Sequence, residues 1–242
     1  MLSVLADNQT HIFIKHAKNS SSNKIRLVNS VFRNSTLFGA LSFIKSEWNV
    51  EAMNLTSSTL NIGKNSNITF TQNQVHSAVL FLNLSTLNVE SNVHMAFVSN
   101  SRAMAIFCST LNVMTDTTMK FISNSKLDDE GVAMFVVNST LNIESDLHFI
   151  NNSAKSQAAI NFQKSTINIR NSARINFNHN LASVQAGAIL VEDSILSVED
   201  NASMTFIDSS VGKIGAMAVL SSVLHIRYNA SFNFIHNNAS TY

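Results

Sequence analysis

The chain has 242 residues, 45% of them apolar and 13% charged, with a formal net charge of +1. Such a chain can bury a large core and is not a disordered polyelectrolyte, and its near-neutral balance argues against a nucleic acid or an anionic lipid surface met through bulk charge. The absence of proline, with only six glycines and one cysteine, excludes collagen, disulfide scaffolds, Cys-based zinc modules and Pro-rich linkers, whereas asparagine occurs 32 times.

Residues 1–16 have no basic start followed by an apolar run, so neither a secretory signal nor a transit peptide is expected there. No apolar stretch approaches the roughly 18 residues of a membrane helix. Residues 1–57 read as irregular first turns. Segments 10–14 and 25–30 have the pattern of a first and a second strand around a polar loop, 18–24. Gly39-Ala-Leu-Ser-Phe43 reads as a third strand. Segments 46–50 and 53–55 repeat the first pair, and no third strand precedes Ser58.

From residue 58 to 242 a repeat is regular. Its first string is Ser58-Thr-Leu-Asn-Ile62, Ser85-Thr-Leu-Asn-Val89, Ser109-Thr-Leu-Asn-Val113, Ser139-Thr-Leu-Asn-Ile143 and Ser165-Thr-Ile-Asn-Ile169, with looser copies centred on Leu196 and Leu224. Its second string, apolar-x-Phe-x-x-Asn, carries Phe70, Phe97, Phe121, Phe149, Phe177, Phe206 and Phe234. The trailing residues are Asn73, Asn100, Asn124, Asn152, Asn180 and Asn237, with Ser209 once in place of Asn. A third string places Ala or Gly-Ala before a short apolar run.

A unit of about 27–28 residues thus holds three segments of about five residues. Apolar and polar residues alternate in the first two, which is a strand signal. A turn of three short strands cannot bury its apolar face alone, so like strands must stack on those of the next turn. The fold expected is all-β: a single right-handed parallel β-helix spanning residues 1–242, of eight to nine turns. At roughly 4.8 Å per turn it would be about 40 Å long. The handedness rests on the general rule for parallel crossovers. The phenylalanines should form an internal ladder. The Asn after each Phe should sit at a corner, where it tolerates the left-handed conformation. Cys108 is expected to be a small buried residue at a strand end.

The outward positions of the first strand read Thr59, Asn61, Thr86, Asn88, Thr110, Asn112, Thr140, Asn142, Thr166 and Asn168, a neutral, regular candidate binding face. It resembles the threonine arrays of β-solenoid ice-binding proteins. The third strand leaves a candidate apolar interaction strip: Ala78, Leu80, Ala103, Ala105, Ala133, Phe135, Ala188, Leu190, Ala216 and Ala218. The column after the first strand, Glu90, Met114, Glu144, Arg170, Glu199 and Arg227, reads as a solvated charged face. Acidic pairs at Asp128-Asp129-Glu130, Glu192-Asp193 and Glu199-Asp200 do not recur from turn to turn. The eight histidines are scattered, and no metal-ligand, phosphate-loop or nucleophile-elbow motif occurs. No catalytic residue, cofactor or metal is expected.

The Phe-x-x-Asn string paired with Gly39-Ala, Gly187-Ala and Gly215-Ala resembles the repeat of the chlamydial polymorphic outer-membrane proteins and of large secreted eukaryotic β-helix proteins. That resemblance implies a β-helical surface domain associated with adhesion, and a chain that is a fragment of a longer protein. Eleven Asn-x-Ser/Thr sequons, among them Asn8, Asn54, Asn67, Asn83, Asn138, Asn201 and Asn229, favour a glycosylated, secreted context.

The function expected is therefore a non-catalytic, extracellular or cell-surface adhesion solenoid. Its partner would be a protein or glycan surface, with lateral or end-to-end self-association, no nucleic acid and no membrane-spanning segment. The alternatives are a pectate-lyase-like carbohydrate-active enzyme, which needs clustered carboxylates on one face, and an ice- or crystal-binding rod.

Overall fold

The computed structural model describes residues 11–13, 25–28, 36–38, 40–44, 47–48, 53–75, 77–126, 133–155, 159–211 and 215–239. These residues form an all-β parallel solenoid. The first-string strands stack into one nine-stranded sheet, the Leu sheet, running from His11–Phe13 through Thr59–Ile62 and Thr86–Val89 to Val223–Ile226. The second-string strands, Asn67–Thr71 to Ser231–Ile235, form an eight-stranded Phe sheet together with Ala40–Ile44. The third-string strands, Ile25–Val28 to Gly215–Leu220, form an eight-stranded Ala sheet. Two-residue fourth strands lie between the Phe and Ala sheets, five stacked from Ser125–Lys126 to Asn238–Ala239 and an earlier pair, Glu47–Trp48 and Gln74–Val75. The stack has about six turns with a closed core, each holding one fully buried phenylalanine, Phe70 to Phe206, rather than the eight to nine expected.

Parallel registers place like residues above one another. Leu60, Leu87, Leu111, Leu141, Ile167 and Leu196 make one inward column of the Leu sheet, and Ile62 to Val198 the next. The Phe sheet turns its phenylalanines inward, where adjacent rings stack with centroids 4.6–5.1 Å apart and planes within 3–14°. The ring spacing is the strand spacing, so the sheet itself imposes the stacking.

Corners are made without proline. Three columns of non-glycine residues adopt positive φ. One lies between the Ala and Leu sheets, with Ser57, Leu84, Cys108, Asn138, Lys164, Asp193 and Ser221 at 47–51°. A second follows the Phe sheet, with Gln72, Ser99, Ser123, Asn151, His179, Asp208 and His236 at 47–55°. The third, including Asn65, Asn92, Asp116, Asn201 and Asn229, lies between the Leu and Phe sheets. The left-handed residue is therefore the one before each repeated Asn, which corrects the expectation. Asn73, Asn100, Asn124, Asn152 and Asn180 are buried inside the rod. Each of the first four donates its backbone N–H to Oδ1 of the next, at 2.9–3.1 Å, and its Nδ2 to the same oxygen. From Asn100 onward Nδ2 also donates to the carbonyl of the Phe one turn earlier. A second internal ladder joins Ser58, Ser85, Ser109, Ser139, Ser165, Ser194 and Ser222, each N–H donating to the next Oγ at 2.9–3.2 Å. These ladders satisfy corner amides that the sheets cannot reach. Cys108, at such a corner, is exposed, not buried.

Four of the early segments belong elsewhere than their sequence suggests: Ile25–Val28, expected as a second strand, pairs with Met53–Thr56 in the Ala sheet, and Glu47–Trp48, expected within a first strand, pairs with Gln74–Val75 outside the Leu sheet. Ala40–Ile44 lies in the Phe sheet, with Phe43 opposite Phe70, and Met53–Thr56 lies in the Ala sheet. The Gly-Ala of 39–40 mimics a third string, yet Leu41-Ser-Phe43 has the apolar-x-Phe spacing that register obeys. Thr36–Phe38, Ala40–Ile44, Glu47–Trp48 and Met53–Thr56 therefore make one complete turn.

Candidate functional site: the asparagine ladder face

The Leu sheet points Leu and Ile/Val inward, so strand alternation turns Thr and Asn outward. Thr59, Thr86, Thr110, Thr140 and Thr166 form one half-buried column, in register across five turns. Asn61, Asn88, Asn112, Asn142 and Asn168 form the other, and their side chains are bonded to one another. Asn88 Nδ2 donates to Asn61 Oδ1 at 2.7 Å, Asn112 to Asn88 at 2.7 Å, Asn142 to Asn112 at 2.8 Å and Asn168 to Asn142 at 2.9 Å. An amide has two N–H donors and two acceptor lone pairs. Asn88, Asn112 and Asn142 spend one of each on the ladder and keep one of each for a ligand. The ladder also fixes the side-chain rotamers before anything binds, which lowers the entropy cost of recognition.

At its C-terminal edge the face runs into a groove of about 280 Å³ lined by Asn112, Asn142, Asn168, Met114, Glu144 and Arg170, with Val113 and Ile143 at the strand ends. Met114, Glu144 and Arg170 occupy one position in three successive turns, their N–H groups donating to the carbonyls of Val89, Val113 and Ile143 of the turn before. Among the described residues neither Glu144 nor Arg170 forms an ion pair.

The third-strand residues divide. Ala78, Leu80, Ala103, Ala133 and Ala188 are buried, Leu80 facing the core in register with Met104, while Ala216 is 5% exposed. The alanines lie at or beside the corner where the strand begins, and only in the turn of Ala78 and Leu80 is the register one residue off, Phe81 rather than Leu80 standing level with Ala105. Ala105, Phe135, Leu190 and Ala218 do take the outward column, which also holds Phe81 and Asn161. Ala105 and Leu190 are nonetheless 1% and 2% exposed, Leu190 packing with Ala186 and Ala218. The continuous exposed strip expected from the sequence is therefore broken. What remains outward is a local aromatic row, in which Phe107 lies 5.5 Å from Phe81 and 5.6 Å from Phe135, and Arg102 sits over the Phe135 ring. Phe81 and Phe107 are absent from the expected strip; strict alternation gives Phe81 from an inward Leu80 and Phe107 from an outward Ala105.

Elsewhere His179 and His236 flank Asp208 at 3.6 and 3.8 Å on an exposed corner. Among the described residues no group of three His, Cys, Asp or Glu side chains is arranged to hold a metal ion. Asp128, Asp129, Glu130 and His76 lie outside the described residues. No described helix is long and apolar enough to cross a membrane. His148, on the outer side of the Phe sheet, has a pKa lowered from 6.5 by burial and by Lys120, against an opposing pull from Asp146. No ladder asparagine lies in an Asn-x-Ser/Thr sequon, whereas the sequon residues Asn138, Asn151, Asn201 and Asn229 are exposed at positive-φ corners.

Comparison of the chain with protein-family models, with curated proteins and with solved structures found no match.

Proposed function

We propose that the protein is a non-catalytic, extracellular display and adhesion solenoid that binds through the Thr/Asn face of the Leu sheet. The observation that carries this reading is the bonded amide ladder from Asn61 to Asn168, with its threonine column alongside. A rigid, uncharged array of unused donors and acceptors suits a repetitive polar surface. The sequon pattern agrees with it, because none of the ladder asparagines is itself a glycosylation acceptor. The likeness of the Phe-x-x-Asn repeat to surface β-helix proteins points the same way.

The test is binding of the folded rod to a glycan array and to cell surfaces, with released sugar assayed in the same wells. Binding without release, weakened by Asn88→Ala plus Asn142→Ala, is the expected result. Release of sugar would overturn the non-catalytic reading. The threonine register across five turns also favours an ice-binding reading. A thermal hysteresis measurement decides it: a freezing-point gap that disappears with Thr110→Leu would replace adhesion by ice binding.

A further inference from the structure

By sequence Glu144 and Arg170 belong to a solvated charged column, but their placement beside the ladder makes them part of a groove lined by amides. Three parallel amides, from Asn112, Asn142 and Asn168, stand at strand spacing, roughly 4.8 Å apart, along one wall. Glu144 and Arg170 stand one turn apart in the adjoining column, two residues beyond Asn142 and Asn168, and Met114, 42% exposed, continues that column. The volume of about 280 Å³ is at the lower limit of roughly 300 Å³ for small-molecule sites.

We propose that this groove is a subsite for a neutral saccharide, holding one or two sugar units of a chain laid along the rod axis; the assignment rests on the ladder face being the binding surface. Four features select that chemistry. The carboxylate and the guanidinium, each free of an ion pair among the described residues, cancel in net charge, so a polyanion meets Glu144 and a polycation meets Arg170. A hydroxyl satisfies both, donating to Glu144 and accepting from Arg170, and the amides offer the same mixed pattern at every turn. Met114 supplies an apolar contact for the C–H face of a sugar ring. A peptide adding as an extra strand is excluded here, because the backbone groups of these strands are bonded to the turns above and below.

The probes are cellohexaose, xylohexaose, mannohexaose and maltohexaose, titrated into the intact protein by NMR, with hexagalacturonate as the charged comparator. At least one neutral hexasaccharide is expected to bind more tightly than hexagalacturonate. Glu144→Gln and Arg170→Gln should each weaken it about tenfold, the effect of losing one charge-assisted hydrogen bond. Both positions lie on the surface, and an unchanged melting temperature certifies the fold. Binding unaffected by either substitution, or tighter binding of the charged probe, overturns the assignment. If the rod still binds cells or arrayed glycans while all four neutral probes fail, the groove proposal falls and the adhesion reading stands. If nothing binds, both fall.

Discussion

Asn124 and Asn112 are the same residue type in two ladders, and their environments set different consequences for their loss. Asn124 is 2% exposed. Its Oδ1 accepts from both the N–H and the Nδ2 of Asn100, and its Nδ2 serves Phe97 O and Asn152 Oδ1. Asn124→Ala strands these groups away from water, and a loss of about 3 kcal/mol or more is expected from urea unfolding. Asn112→Ala releases half-buried partners to solvent and should cost about 1 kcal/mol or less. Equal losses at the two sites would refute the distinction between a structural and a displayed ladder. His148 gives a pH dependence of definite sign. Its folded pKa lies below 6.5, burial being the main cause. Above that value both states are neutral and the stability is fully present. As pH falls through it the unfolded chain takes up the proton first, so stability declines until the folded value is passed. Melting curves between about pH 7.5 and 5.5 should show a decline that is smaller in His148→Gln.

Strands were the most legible elements, because a period of two leaves little choice about which residues face in. Leu60 and Ile62 had to be buried once Thr59 and Asn61 were outside, and they are. Corners were less legible, since many residue types satisfy them. The αL position falls on Leu84, Cys108, Lys164 and Asp193 in one column, with no shared chemistry to reveal it. The sheet on either side dictates that backbone, and the side chain tolerates it at a cost. Leu84, 61% exposed at φ 51°, bears this cost without compensating burial. Leu84→Gly is expected to raise stability by about 1 kcal/mol and Leu84→Val to lower it, read as shifts in the denaturant midpoint. The third strand shows the same dependence on the corner: Val79, not Ala78, stands level with Ala103, so the outward residue of that turn is Phe81 rather than Leu80.

A stacked solenoid has near-neighbour energetics, so stability should vary along the rod. In the turn holding Gly215–Leu220, Val223–Ile226 and Ser231–Ile235, Leu224 is 37% exposed and Phe234 54%, whereas Phe97 to Phe206 are sealed. Amide hydrogen exchange should therefore be slowest in the strands between Thr86 and Ile207 and faster in that turn. Uniform protection would contradict a stack held by neighbour contacts. By itself the sequence determined the repeat, its strand content, the parallel stacking and the identity of the Phe, Leu and Thr/Asn columns, because these follow from a period of two and from the need of each turn for a neighbour. Only the tertiary structure decided that the Asn after each Phe lies inside, that Phe81 and Phe107 face out, and that Glu144 and Arg170 border the amides of Asn112, Asn142 and Asn168. Those facts depend on corner geometry and on contacts between residues some 24 to 30 positions apart, which no local pattern in the chain encodes.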